Sequence, residues 1–476
     1  MRLMQKLRSD ELEESNKSNV KYDFVTNVKP AYQVEKGVNR SVIEEISADK
    51  KEPEWMKAIR LRALAIFLSK PVPTWGPDLS GLNFDDITYY TRPGEGKASN
   101  WDEVPKDIKD TFDKLGVPEM ERKYLAGSVA QFESEGVYSK LLRRWEDKGV
   151  VFMDMDSALK KYPDVVKEHF GKVVPPSDNK FAALNTAAWS GGSFLYVPRG
   201  VSLDLPVQAY FRMNGALEGQ FERTLIIAEP GASVHYIEGC TAPTYSGYSL
   251  HAAIVEVYVK EASKVRYTSV QNWSDNIING PTKRSWVESN GRMEWVQGSL
   301  GSKITMTYPS SILRGEYAST SNLNVALAVG PVWKDNGAKV IHAAPNTSSK
   351  VVAKSISGKG GMSVYRGQLR INPGAYNSKA SVQCDALILD DISKSNTYPH
   401  NEILEQSASF SHEASVGKIS EDQVTYLMSR GIREEDARSL IVLGFLDDVL
   451  KEIPLEYSIE FNKLVRLEMG KYGAVG

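Results

Sequence analysis

The sequence is poor in cysteine, with only two residues of this type, Cys240 and Cys384, among 476. A few basic side chains lie near the N-terminus, but no apolar segment follows them, so no secretory signal peptide is expected. Stable disulfides are typical of exported proteins, and two cysteines without an export signal argue against a disulfide framework. We therefore expect a cytoplasmic protein in which both thiols are reduced.

Long apolar runs and nucleotide-binding motifs are also missing. No stretch approaches the roughly 20 apolar residues that span a bilayer. The segment Ser357-Gly-Lys-Gly-Gly-Met lacks the residue order of a phosphate-binding loop, and no Gly-x-Gly-x-x-Gly follows a strand. The net charge of −2 gives no general attraction to nucleic acid or to anionic membranes. Any nucleotide hydrolysis would have to come from a partner.

Three regions of different composition follow one another. Residues 1–180 mix helical patterns with loops, and residues 1–50 are polar and weakly periodic, so the sequence leaves their order open. Residues 181–415 consist of short β-branched and aromatic runs between Gly, Asn, Pro and Ser turns. In the segment 254–260 alternate valines predict a half-buried strand. Residues 416–476 return to helical patterns, so the sequence predicts a mainly β protein flanked by two helical regions.

A weak recurrence appears within the β region. Glu229-Pro-Gly-Ala-Ser, Lys260-Glu-Ala-Ser and Asn372-Pro-Gly-Ala-Tyr each end one apolar run and precede the next. Stacked coils of a β-helix produce such repetition without a strict consensus, and a sandwich or a barrel could produce it as well. The pattern by itself favours the β-helix only slightly.

The C-terminal region carries clear helix signals. Ser420-Glu-Asp-Gln forms a capping box, Gly431 is expected to end that helix, and Pro454 precedes a final amphipathic helix at about 455–469. The helix between them is predicted to bury one stripe, which consists of Ala437, Leu440, Ile441, Gly444 and Phe445. Such helices could form a docking surface for a partner or a cap on the β core.

The two thiols have different surroundings. Cys384 shares a strand face with Val382 and Ala386, which fits a packed core residue as well as a ligand. Cys240 lies at a predicted strand end, where its thiol is expected to be exposed. Its neighbour Glu238 is either a proton acceptor or, more commonly for this residue type, a surface charge.

His412 and Glu413 are the remaining metal-ligand candidates. Residue 416 is valine, so the pair does not belong to a zinc-protease motif. Adjacent residues on a strand point to opposite faces, so both could bind one ion only in a loop or beside a second chain. Spacing alone therefore establishes no metal site.

Several segments closely resemble the SufB family, the scaffold of the Suf iron–sulfur cluster assembly machinery. The similarity covers nearly all of the chain after residue 50. It is carried by Glu52-Pro-Glu-Trp-Met, Trp75-Gly-Pro-Asp-Leu, Arg122-Lys-Tyr-Leu-Ala-Gly, Asn179-Lys-Phe-Ala-Ala-Leu-Asn, Trp189-Ser-Gly-Gly-Ser-Phe, Gly219-Gln-Phe-Glu-Arg-Thr, Glu238-Gly-Cys-Thr-Ala-Pro, Val270-Gln-Asn-Trp, Gln383-Cys-Asp-Ala-Leu, His412-Glu-Ala and Ser420-Glu-Asp-Gln.

The resemblance implies a right-handed parallel β-helix and a scaffold rather than a conventional enzyme. The expected partners are a SufC-type ATPase at the C-terminal helices, a SufD paralogue or a second copy, and a cysteine desulfurase with a sulfur carrier. Cys240 would accept persulfide sulfur, and Cys384 with Glu413, and less securely His412, would hold a nascent cluster of unspecified type. Reduced flavin is a candidate electron source. The residues implied to line a sulfur path are Arg212, Asn214, Gln271, Trp273 and Lys283.

Some features depart from the family pattern or leave alternatives open. The first fifty residues carry no family motif, and His400 stands where many relatives have an aromatic residue, so it is either an added ligand or a tolerated substitution. Inward polar residues of a solenoid often only satisfy backbone groups. The alternative functions are a SufD-like structural partner, which the retained thiols and His412-Glu413 argue against, and a β-helix enzyme acting on polysaccharide, which lacks clear paired carboxylates here.

Overall fold

The computed structural model describes residues 24–26, 28–94, 98–115, 124–215, 217–245, 247–451, 462–466 and 468–469. Part of the segment 1–50, whose order the sequence left open, lies outside the described residues. Most of the helix predicted at 455–469 also lies outside them. Helix is present at 462–466. Within the described part of the chain, no helix is long and apolar enough to cross a membrane.

Besides the helical residues 462–466 and 468–469, the described residues form nine α-helices and twenty-five strands. The helices are α1 (Arg40–Lys50), α2 (Glu54–Ser69), α3 (Lys106–Leu115), α4 (Arg143–Glu146), α5 (Met155–Lys161), α6 (Pro163–His169), α7 (Lys180–Ala188), α8 (Glu421–Ser429) and α9 (Glu434–Leu450), with short 3-10 turns at Phe84–Asp86 and Trp101–Glu103. The strands are β1 (Tyr32–Gln33), β2 (Thr91–Arg92), β3 (Gly127–Phe132), β4 (Glu135–Leu141), β5 (Val151–Asp154), β6 (Ser193–Val197), β7 (Val207–Arg212), β8 (Gly219–Gln220), β9 (Arg223–Ala228), β10 (Ser233–Thr241), β11 (Ser249–His251), β12 (Ile254–Val259), β13 (Lys264–Trp273), β14 (Ile277–Asn279), β15 (Thr282–Val287), β16 (Arg292–Gly301), β17 (Ile304–Thr307), β18 (Ser310–Leu313), β19 (Ser319–Val329), β20 (Trp333–His342), β21 (Ser348–Gly358), β22 (Met362–Ile371), β23 (Lys379–Ile388), β24 (Lys394–Ile403) and β25 (Ser409–Lys418).

The strands from β6 onward form a parallel β-solenoid of about eight turns. Its first wall is a ten-stranded sheet in the order β25-β23-β21-β19-β16-β13-β10-β7-β3-β4, in which β3 and β4 pair antiparallel at the N-terminal edge. The prediction of a mainly β protein with a parallel β-helix between helical regions is confirmed. The right-handed sense of the coil and the boundaries 1–180, 181–415 and 416–476 stay predictions.

The second wall of the solenoid is forked at its N-terminal end. One arm contains β6, β9, β12, β15 and β18, the other contains β8, β11, β14 and β17, and both arms join the single strand β20. Gly280-Pro281 separates β14 from β15, and Pro309 lies between β17 and β18. A proline cannot donate to a ladder hydrogen bond, which fits the interruption of the ladder at these two points.

The weak sequence recurrence marks equivalent corners of successive coils. The Ala232 N–H donates to the Glu229 carbonyl, and Ser263 and Ala375 close the same turn onto Lys260 and Asn372. The first two corners stack directly, because the Gly231 N–H donates to the Glu261 carbonyl at 2.9 Å. Gly231 adopts a φ of 72°, which glycine tolerates without strain. The solenoid interpretation of these turns is therefore correct.

The strand predicted at 254–260 is buried on both faces. Val255, Val257 and Val259 point into the solenoid core, as the alternation predicted. Glu256 on the opposite face is also buried, and its carboxylate pairs with the Arg223 guanidinium and accepts the Val173 N–H. The expectation of a half-buried strand is wrong, because the segment after α6 covers the outer face.

The C-terminal helices pack on the outside of the first wall. Ser420 caps α8 by accepting the Gln423 N–H, and Gly431 follows that helix with a φ of 84°, as predicted. Among the described side chains of α9, the fully buried apolar ones are Ala437, Val442 and Leu446. Leu440, which was expected to be buried, is 42% exposed, because α9 turns a different stripe toward the sheet.

Candidate functional site

Both thiols lie on the inner face of the same wall, on β10 and β23. The register connects Glu238 on β10 to Cys384 on β23 through one column of residues, which are Ser269, Gln297, Asn324 and Ala353. Cys240 stands two residues further along β10, on the same inward side. Five strand spacings of about 4.8 Å place the two cysteine positions roughly 24 Å apart along the solenoid.

Cys240 is buried in the solenoid core with 1% exposure. It lies at a strand end, as predicted, but the expected exposure of its thiol is wrong, because β7 and β13 flank β10 in the wall and the core packs over its inner face. Burial raises the pKa of the Cys240 thiol well above its usual value, and the nearby Glu238 and Glu222 carboxylates add to this effect.

Glu238 is a buried acid rather than the surface charge that its residue type suggested. Its Oε1 lies 3.1 Å from the Lys283 Nζ, and its other oxygen accepts the hydroxyl of Tyr267. The Ser269 hydroxyl and the Gln271 amide donate two further hydrogen bonds. Burial opposes ionisation, but Lys283 and the hydrogen bond from Tyr267 outweigh it and lower the pKa of Glu238.

The polar cluster continues from Gln271 toward a second buried acid. The Gln271 Oε1 accepts the Trp273 indole N–H at 3.1 Å and the Asn279 amide at 2.6 Å. The His251 ring bridges Asn279 at 2.6 Å and Glu222 at 2.5 Å. Burial lowers the pKa of His251, but the Glu222 carboxylate outweighs this and holds the pKa above its ordinary value.

Five members of this cluster were missed by reasoning from the sequence: Glu222, His251, Tyr267, Ser269 and Asn279. The available signal is their spacing, because His251 follows Glu222 by 29 residues and precedes Asn279 by 28. These intervals are about one coil, so the residues stack in the solenoid. The coil length has to be known before the spacing can be recognised.

Arg212 and Asn214 lie apart from this interior cluster. Arg212 follows the inward Phe211, faces outward, and donates to the Phe24 carbonyl at 2.5 Å and to the Thr241 hydroxyl at 3.2 Å. The Asn214 Oδ1 accepts the Thr26 N–H at 2.9 Å, and the Asn214 Nδ2 donates to the Thr26 carbonyl at 2.8 Å. The structure thus brings together Cys240, Gln271, Trp273 and Lys283, whereas Arg212 and Asn214 hold an N-terminal segment over the outer surface.

Cys384 lies near the other end of the solenoid with 5% exposure. Its Sγ is 3.6 Å from the His412 Nε2 on the last strand, β25, and its thiol also contacts the Tyr365 hydroxyl from the opposite wall. Burial raises the pKa of Cys384 to about 12, although the hydrogen bond with Tyr365 acts in the opposite direction. Burial lowers the pKa of His412, which keeps a neutral imidazole available as a ligand.

Glu413 and His400 do not join Cys384 within one chain. Glu413 pairs in register with Gln383 and is exposed on the outer face of β25, opposite to His412. The His400 ring lies on the outside of β24, 2.7 Å from the Glu402 carboxylate. Among the described residues no group of three His, Cys, Asp or Glu side chains is arranged to hold a metal ion.

Two family models together match most of the chain. Residues 38–209 match the SufBD protein N-terminal region, and residues 211–445 match the SufBD core domain of the SUF system for FeS cluster assembly. The chain belongs to the SufBD family. Its general role is therefore in Suf iron–sulfur cluster assembly, and the polysaccharide-active alternative is not supported.

Curated relatives of similar length agree with the family models. The iron–sulfur cluster assembly SufBD family protein of Staphylococcus haemolyticus strain JCSC1435 is 53% identical over 456 residues, which is 96% of this chain and 98% of that protein. The SufBD family proteins of Staphylococcus aureus strains MRSA252 and USA300 show the same identity and coverage. These names give the SufBD family as a whole and do not separate SufB from SufD.

Proposed function

We propose that this chain is a SufB-type scaffold, which accepts sulfur at Cys240 and builds an iron–sulfur cluster at Cys384. The observation that carries the proposal is the contact of Cys384 with His412, 3.6 Å apart on neighbouring strands at the end of the solenoid. A SufD-like structural partner without its own cluster would not require a thiol and an imidazole at this place. The role is that of a scaffold rather than of an enzyme with turnover.

Sulfur acceptance at Cys240 is a transfer between two thiols, for which a cysteine desulfurase with a sulfur carrier would supply the persulfide. The Cys240 thiolate attacks the outer sulfur of the carrier persulfide, the carrier's sulfur–sulfur bond breaks, and the carrier thiolate takes up the proton that Cys240 lost. Burial opposes the thiolate, whereas the Lys283 ammonium favours an anionic sulfur on Cys240. Lys283 therefore has a physical role in the acceptor site.

Cluster assembly at Cys384 requires ligands from a second chain. Iron–sulfur clusters are commonly held by four thiolates, and this chain offers Cys384 and His412. The last coil ends in the strand edges of β24 and β25 and exposes apolar side chains, including Tyr398 and Val416, the latter by 60%. A SufD paralogue or a second copy at this coil would cover these groups, supply ligands, and meet the outward Glu413.

The C-terminal helices are the proposed docking surface for a SufC-type ATPase. α8 exposes Tyr426 and Met428, and α9 exposes Leu440, beside a stripe that anchors both helices to the β core. An ATPase bound here could transmit movement to the outside of the first wall. Reduced flavin is the proposed electron source and the cytoplasm the proposed compartment. Neither nucleic acid nor a membrane is proposed as a partner.

Anaerobic co-expression with the ATPase, the paralogue and the sulfur donor tests the proposal. Wild type should carry a labile cluster, measured as iron, sulfide and visible absorption per chain, and Cys384→Ala should lose it. Val382→Ala is the matched control, because it shortens a neighbouring inward side chain of the same strand without removing a ligand. Full cluster content in Cys384→Ala would overturn the assigned site.

A further inference from the structure

Sulfur accepted at Cys240 has no thiol-to-thiol route to Cys384. The two positions are roughly 24 Å apart, five strand spacings along the solenoid, and the sequence contains no third cysteine. A persulfide cannot be passed directly over that distance. A mobile form of sulfur arises when a two-electron reductant such as a reduced flavin cleaves the Cys240 persulfide. The sulfur–sulfur bond then takes up two electrons and two protons, which regenerates the thiol and releases one hydrogen sulfide.

A small cavity adjoins the Cys384 thiol inside the solenoid. Its volume is about 20 Å³, which exceeds the roughly 10–15 Å³ that one water molecule requires. Asn324, Ala353 and Cys384 line it from the first wall, and Asn336 and Tyr365 line it from the second. Asn324 and Ala353 belong to the column that connects Glu238 to Cys384, so the cavity lies on the interior line between the two thiol sites.

The amides that line this cavity have polar atoms without partners in the protein. Both Nδ2 and Oδ1 of Asn336 are unpaired at 5% exposure. The Nδ2 of Asn324 donates to the Gly337 carbonyl at 2.8 Å, which fixes the side chain, while its Oδ1 remains unpaired. A buried polar group without a hydrogen bond is costly, so unpaired polar atoms that border a cavity indicate an occupant of that cavity.

Tyr365 completes the cavity and brings it into contact with the cysteine. Its hydroxyl bonds the Cys384 thiol and lies above Gly367, where a Cβ would stand 2.6 Å from the hydroxyl oxygen. Glycine at this position therefore makes room for the ring. Tyr365 also lines a second cavity of about 10 Å³ beside His412, so its ring separates the two spaces at the cluster site.

We propose that the cavity between Asn324, Asn336, Tyr365 and Cys384 is a binding site for one hydrogen sulfide molecule or its hydrosulfide anion. The proposal rests on the proposed function. The neutral Cys384 thiol donates its S–H to the Tyr365 oxygen, which leaves the single Tyr365 O–H to donate to the sulfide sulfur. The Asn336 amide N–H also donates to that sulfur, and the sulfur's own hydrogen is donated to the Asn324 Oδ1. The occupant then lies against the Cys384 Sγ, where iron would meet both sulfurs. Asn336 and Tyr365 are positioning residues for this sulfide.

Crystals of the full-length protein soaked in sodium bromide test the site directly, because bromide is close to hydrosulfide in size and charge. An anomalous peak is expected beside Asn336 in wild type and is expected to disappear in Asn336→Leu. Asn322→Leu is the matched control, since Asn322 is also inward, buried and unpaired on β19 but does not line the cavity. Absence of the peak in wild type, or its persistence in Asn336→Leu, would overturn the proposal.

A second assay measures function with sodium hydrosulfide and ferrous iron in the Cys240→Ala background, where the sulfur donor is bypassed. Loss of one hydrogen bond to a charged ligand should slow cluster formation about tenfold in Asn336→Leu and Tyr365→Phe, and not in Asn322→Leu. Equal rates in all four proteins would mean that the cavity holds only water and would overturn the proposal. If the parent forms no cluster at all, the proposed function fails, and the bromide peak still decides whether the site exists.

Discussion

The ion pair between Glu238 and Lys283 offers the sharpest test of the buried polar cluster beside Cys240. The two charges are 3.1 Å apart, and each side chain is 1% exposed. Lys283→Met keeps the length of the side chain but removes the ammonium. A buried carboxylate then remains without its counter-ion, held only by hydrogen bonds from Tyr267, Ser269 and Gln271.

The expected loss of unfolding free energy at pH 7 is about 3 kcal/mol, the lower end of the range for breaking a buried pair, because the hydrogen bonds remain. In wild type the folded pKa of Glu238 is lowered, so its contribution is present above the unfolded pKa and is lost as the pH falls. Without Lys283, the folded pKa of Glu238 is expected to rise, because the burial remains and the counter-ion is gone. The deficit of the variant should therefore be largest near neutral pH and should shrink as the carboxyl becomes protonated.

The free energy of unfolding is measured by urea titration at several pH values. The proteins compared are wild type, Lys283→Met and the double variant Lys283→Met/Glu238→Gln. The double variant should recover much of the lost stability, since a neutral amide at position 238 needs no counter-ion. Lys418→Met is the control, because Lys418 pairs with Asp391 at the exposed surface and should show no measurable change. A pH-independent deficit, or no recovery in the double variant, would refute the reasoning.

Three further predictions concern the ligand, the N-terminal segment and the docking helices. His412→Ala should lower the iron and sulfide bound per chain after anaerobic co-expression, whereas His400→Ala should leave them unchanged, because His400 lies outside the solenoid; equal losses would contradict the assignment. Asn214→Ala should speed proteolysis near Thr26, followed by mass spectrometry, because two hydrogen bonds are lost; an unchanged cleavage rate would contradict the anchoring role. Tyr426→Ser should weaken ATPase binding in a pull-down without lowering the melting temperature, since the ring is exposed, and unchanged binding would exclude this surface.

The general architecture could be predicted from the sequence because it depends on local patterns. The alternating valines 255, 257 and 259 point into the core, and the turns at 229–233 and 260–263 are stacked corners, as the recurrence suggested. Recognition of the SufB-like segments added the parallel topology. What covers a strand from outside is not a local property, so the burial of Glu256 under the segment after α6 could not be predicted.

The sequence predicted which residues belong to the candidate site better than it predicted their burial and their contacts. Cys384 was expected on an inward strand face, and the structure confirms it with 5% exposure. Cys240 and Glu238 were expected near the surface, because a carboxylate next to a strand end is usually solvated. Both are buried in the structure, and the charge of Glu238 is balanced there by Lys283, which is 45 residues away in sequence and lies opposite on the other wall. Such a pairing depends on the lengths of the intervening turns, which residue patterns do not define.

The order in which the two thiols act, Cys240 before Cys384, is tested most directly by comparing two sulfur sources in one anaerobic assembly assay. With a cysteine desulfurase and its carrier as donor, both Cys240→Ala and Cys384→Ala should fail to form a cluster. With sodium hydrosulfide as donor, Cys240→Ala should form a cluster and Cys384→Ala should not. Desulfurase-fed assembly in Cys240→Ala, or sulfide-fed assembly in Cys384→Ala, would contradict the proposal that sulfur enters at the first thiol and is built into a cluster at the second.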